Sequence, residues 1–318
     1  MTEARATSYP ELGVEDVLRV ELAEGDAVIG TLAPVLRHLL AHDDHSLFSD
    51  EIVARVRGML SHLARQLLHA LIDTAADEGG QAVIEEQEGA MVGCLLDHAG
   101  LLRHLHALAL ETQLTERLQE RNAVDPILSP LLQALIGSSD AVTAGFAMTA
   151  LAAQARFVQC QRRMELPLAE LPGDLFHVAL MALRSQARDG DAVERAESEL
   201  RAGFDESHGR LGLLSRLVIE MGGGAIAALA VEHAGVAIFL TALAIGSGQE
   251  RDLAVLSTND RLLARFALSL RAAGLKSQAV REQFAALHPE ITLPEGFEQL
   301  APDHAATLLS ASNPVVAG

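Results

Sequence analysis

Apolar residues recur every three or four positions over most of this chain. The clearest run is Ile52, Val56, Met59, Leu60, Leu63, Leu67 and Leu71, which fall on one face of a helix predicted over 51–76. The opposite face carries Arg55, His62, Arg65 and His69. Upstream, the pattern predicts a short helix over 14–23 closed by Glu24-Gly25. A second helix, over 26–42, should kink or break at Pro34. Helices over 81–98 and 101–121 follow, separated near Gly100.

The stretch from Ser138 to Arg188 reads as the organising element. Ser138 can cap a long apolar helix ending near Met164, and an elbow carrying Pro167 and Pro172 then turns the chain. Asp174 can cap the next helix, over 175–188. Helices over 192–202 and 207–220 precede a break at Gly222-Gly223-Gly224. Short helices then recur over 225–233, 236–245, 250–256, 260–273, 277–287 and 302–310. Strand-like runs rich in Val, Ile, Thr and aromatics are nearly absent.

The expected fold is therefore all-α: an irregular multi-helix array of stacked short helices, with HEAT-like or solenoid-like packing but no strict repeat. Asn122–Asp125, just before Pro126, suggests a boundary between an N-terminal subdomain over 14–121 and a C-terminal array over 125–310.

Charge narrows the choice of partners. The 318 residues carry a formal net charge of −19, with a single lysine, Lys276. A duplex-binding face needs clustered cations, so no nucleic-acid partner is expected, and a protein with a basic patch is favoured. The most apolar window, 225–246, is long enough to span a bilayer, but Glu232 and His233 interrupt it. It reads as two short buried helices, so no membrane partner is expected. The first residues, MTEARATSYPELG, hold no apolar signal core, and the expected location is cytoplasmic. Cys94 and Cys160 read as buried free thiols. Helix faces in 225–245 that one chain does not cover would leave room for a homodimer.

Candidate chemistry is sparse. His38 and His42 are four apart on a predicted helix, with Asp43 adjacent, so all three are weak metal-ligand candidates. No HExxH glutamate lies between the histidines. The Arg55, His62, Arg65, His69 stripe is a candidate binding surface for a phosphorylated ligand or an acidic helix, or a solvated face. His62 or His69 could also accept a phosphoryl group, though no phosphoacceptor signature surrounds them. Glycines 222–224 lack the Lys and Ser/Thr of a phosphate loop. No catalytic or cofactor-binding residue stands out, and no cofactor is expected.

Two segments, QRRMELPLAELPGDLFHVAL (161–180) and GVAIFLTALAIGSGQERDLAVLSTNDRLLARFALSLRAAGL (235–275), resemble an uncharacterised all-helical family of alphaproteobacteria, domain of unknown function 2336. The resemblance implies a helical, cytoplasmic bacterial protein and brings no functional residues with it. The expected function is a non-enzymatic protein-interaction, regulatory or scaffold role with an unidentified protein partner. The binding groove is expected along the elbow and its neighbouring helices. The alternatives are a metal-dependent hydrolase built on the N-terminal His and Asp residues, and a phosphorelay or phosphate-sensing module.

Overall fold

The computed structural model describes residues 13–41, 50–73, 80–186 and 190–312, and every regular element among them is helical. The chain runs through α1 (Val14–Ala41), α2 (Asp50–Asp73), α3 (Gly80–Leu96) and α4 (Ala99–Asn122). Next come α5 (Pro130–Ile136) and α6 (Ala141–Arg162), then the elbow with a 3-10 turn at Leu168–Glu170. Beyond it lie α7 (Gly173–Gln186), α8 (Gly190–Gly203) and α9 (Arg210–Glu220). The array ends with α10 (Val231–Ala234), α11 (Val236–Ser247), α12 (Arg251–Leu256), α13 (Leu263–Ala272), α14 (Ser277–Leu287) and α15 (Pro302–Ala311). This is the all-α multi-helix array expected from the periodicity.

Several boundaries differ from expectation for identifiable reasons. The first two predicted helices are one. In α1, Leu18, Leu22, Ile29, Leu32, Leu36 and Leu39 are all buried and form one stripe across both expected breaks. A helical Gly costs about 1 kcal/mol and a helical Pro about 3. Burying each of six aliphatic side chains returns roughly 1.5–3 kcal/mol, so the stripe wins. Gly25 serves close approach instead: a Cβ there would lie 2.8 Å from Leu262. Likewise Gly100 sits inside the first turn of α4 rather than between helices. Asp140, not Ser138, caps α6, accepting the Thr143 amide at 3.0 Å. Asp174 lies within the first turn of α7. The three glycines open an eight-residue 3-10 segment, Gly222–Leu229, bent 116° from α9.

Two hydrophobic cores make up most of the interior. One joins α2 to the first half of α4, the elbow and α7. The other joins the start of α1 and the second half of α4 to α5 and to α9–α15. Each core therefore draws on both sides of the expected boundary at 122–125, because α4 serves both. Leu102 and Leu105 face one core, Leu114 and Leu118 the other. Helix α11 is also buried nearly all round, which covers most of the window 225–245 within the chain; Ile226 and Ile245 stay exposed. One described helix, α6, is long and apolar enough to cross a membrane, with a mean hydropathy of 1.2 in its best window. The window 225–246 is divided among the 3-10 segment, α10 and α11. Cys94 and Cys160 are free, as expected, but half-buried.

Candidate functional site

The polar stripe of α2 is divided: Arg65 and His69 are exposed, whereas Arg55 and His62, together with Gly58, Met59 and Gln66, form the face on which the elbow sits. Residues 55, 58, 59, 62 and 66 are spaced at three, one, three and four, so they share one side of the helix. Arg55, expected on the surface, is only 7% exposed. Its guanidinium donates to Glu51 and Glu116, both at 2.7 Å, and to the Gln161 carbonyl at 3.3 Å. Burial alone would lower its pKa, but hydrogen bonds and charge from Glu51 and Glu116 raise it above the ordinary value.

His62 and Gln66 hold the elbow backbone. The His62 Nδ1 lies 2.8 Å from the Leu166 carbonyl oxygen and 3.1 Å from the Leu166 amide, so the ring meets the elbow backbone in either tautomer. The Gln66 side chain donates to the Leu166 carbonyl at 2.9 Å and accepts the Leu168 amide at 2.9 Å. Elbow backbone that leaves one helix without starting another needs such partners when buried. On the other side, Gln161 donates to the Glu165 carbonyl at 3.1 Å.

The turn out of α6 explains the glycine in this face. Met164 has a φ of 56°, and the Glu165 amide reaches back to the Cys160 carbonyl at 2.9 Å. This is a Schellman ending, with Met where Gly is usual. A Cβ on Gly58 would lie 2.6 Å from the Met164 Cβ and 2.8 Å from its carbonyl oxygen. The missing side chain therefore moves from the turn to the helix facing it. Glu170 fixes the far end of the elbow by accepting the Arg210 amide, at the start of α9, at 2.8 Å.

Docking the elbow leaves an open groove of about 450 Å³ beside it. Gln66 and His69 of α2 form one wall, Leu168 and Ala169 of the elbow a second, and Leu200 and Gly203 of α8 a third. In its floor the Phe176 and Phe204 rings stack with centroids 4.0 Å apart and planes 4° from parallel. His69 and Glu199 are exposed on the rim, and among the described residues no cation pairs with Glu199. Arg65, the remaining residue of the stripe, pairs with Glu88 of α3 at 3.0 Å.

The remaining candidates are dispersed. His38 lies in the last turn of α1, whereas His42 and Asp43 fall outside the described residues. Among the described residues, no three or more His, Cys, Asp or Glu side chains gather as a metal site. His104 of α4 meets Asp252 at 3.0 Å. Sequence reasoning missed one constellation altogether. Glu111 of α4, 2% exposed, accepts both Nη1 and Nη2 of Arg210 at 2.8 and 3.0 Å, and Nη2 of Arg251 at 3.0 Å. The Arg210 guanidinium also lies 3.6 Å from the Phe157 ring centroid. Burial would raise the Glu111 pKa, but the two guanidiniums hold it well below the ordinary carboxylate range. Nothing in the spacing of 111, 210 and 251 signals the group. Its geometry ties α4 to α9 and α12, with Glu111 and Arg210 almost wholly buried.

Compared with known proteins, the chain matches no family model, no curated protein and no solved structure.

Proposed function

We propose that this chain is a non-enzymatic interaction or regulatory protein, and that the elbow groove receives a short amphipathic segment of a partner protein. The observation that carries this reading is the stacked Phe176–Phe204 pair flooring a groove whose three walls are fixed before any partner arrives. Preformed walls reduce the ordering cost of association, and an aromatic floor with apolar flanks suits one or two buried anchors. The rim sets the partner's charge. Glu199 lacks a cation among the described residues, and the chain carries −19 overall, so the segment should bring Lys or Arg beside its apolar anchors. Membership of the family resembled by residues 161–180 and 235–275 belongs to the same proposal.

A photoreactive amino acid placed at exposed Ala169 in the wall tests this in the native host, with exposed Ile291 as the control position. The expected result is a discrete adduct from position 169 that is absent from position 291. Its purified partner should bind the chain one-to-one and lose at least about tenfold in affinity on Leu200→Arg. Identical adducts from both positions, or an affinity untouched by L200R, would overturn the reading.

A further inference from the structure

A second concavity shares no residue with the elbow groove. It is a cleft of about 370 Å³ between α1, α4 and the turn joining α12 to α13. That volume falls within the range of small-molecule pockets, roughly 300–1,000 Å³. Ile29, Leu32 and Val35 of α1 face Leu110 of α4, Leu256 at the end of α12 and Leu262 of the turn. Four of these residues, with Leu36 and Leu253, form the small apolar cluster that bridges α1 to α12.

The polar lining is selective. His106, Gln113, Asn259 and Thr31 contribute uncharged groups at neutral pH, because burial pushes the His106 pKa down to about 4. The one charged residue is Arg261, which is exposed. Its position is set by an Asx turn in which the Asn259 side-chain oxygen accepts the Arg261 amide at 3.1 Å. Among the described residues no carboxylate pairs with the Arg261 guanidinium, and no Asp or Glu lines the cleft. On a chain with 43 acidic and 24 basic residues, an acid-free cleft with an unengaged cation at its edge selects for charge.

We propose that this cleft binds a small amphiphile with an apolar body and a single anionic head, the body against α1 and the head on Arg261. The guanidinium fork matches a carboxylate in a two-pronged pair, and the aliphatic walls accept a saturated chain without unpaired polar atoms. The proposal stands whether or not the elbow groove has a partner.

Titration calorimetry on the whole chain tests it with three probes of one chain length: decanoate, decanol and decylammonium. Decanoate should bind saturably one-to-one, decanol about tenfold more weakly, and decylammonium weakest of all. Arg261→Gln should bring decanoate to the affinity of decanol and leave decanol unchanged. Val35→Trp, which fills the cleft, should abolish both and place a tryptophan in a chain that has none. Should V35W fail to fold, the R261Q result decides, since an exposed side chain in a turn can change without disturbing the core. Equal affinities for decanoate and decanol, decanoate binding unchanged by R261Q or by folded V35W, or no saturable decanoate binding would overturn the proposal.

Discussion

At the scale of single residues, two buried groups on α4 make stability depend on acid in separate windows. His106 has a pKa of about 4 in the fold against an ordinary 6.5. Between those values the unfolded chain holds the extra proton, so stability is fully present above about pH 6.5 and declines as pH falls toward 4. At 1.36 kcal/mol per unit this amounts to about 3 kcal/mol. Glu111 acts lower. Its pKa lies below the ordinary 4.5, so its contribution is present above that value and is lost only as pH falls further. Urea midpoints measured from pH 7.5 to 4 should therefore fall in the wild type and fall less steeply in His106→Leu, where His288, also held below its ordinary value by burial, supplies the remaining slope. A slope unchanged by H106L would place the proton elsewhere. Neither environment was legible in advance: Arg210 and Arg251 reach Glu111, and α1 covers His106, only through tertiary packing.

At the scale of elements, part of the α2 face that looked like a surface, Arg55 and His62, is an internal dock. The sequence showed both partners, a polar stripe on one helix and a proline-bearing elbow far downstream, without showing that they meet. Polar residues on a helix face signal water or a polar backbone equally well, and Leu166 and Leu168 supply the backbone here. Gly58 was the one available clue, a helical glycine with no break around it. Its role gives a test. Gly58→Ala forces a Cβ against Met164 backbone and should destabilise by about 1–3 kcal/mol. Exchange of the Leu166 and Leu168 amides should quicken in the same variant. Unchanged stability and protection in G58A would show that the elbow does not press on this face. The fusion of the first two predicted helices carries the matching lesson. The stripe Leu18, Leu22, Ile29, Leu32, Leu36 and Leu39 was present in the sequence, and Gly25 and Pro34 were given more weight than the burial it implied.

At the scale of the whole molecule, the helical class was legible because Leu and Ala at helical spacing leave no alternative use for their apolar surface. The two-part division was not, because one helix, α4, turns Leu102 and Leu105 to one core and Leu114 and Leu118 to the other. With both cores hung on α4 and its carboxylate clamped by Arg210 and Arg251, the array is suited to present fixed concavities. Of the four residues offered as a binding surface, only His69 lines the elbow groove. Arg55 and His62 hold the elbow that makes it, and Arg65 pairs with α3. The central claim is that holding the elbow is what creates the partner site. The most direct test is the photo-crosslink from Ala169 repeated with Gln66→Ala, which removes the donor to Leu166 and the acceptor for Leu168. The account expects the specific adduct to disappear while the helical content is retained. An adduct of undiminished yield from a chain whose elbow amides now exchange freely would contradict it.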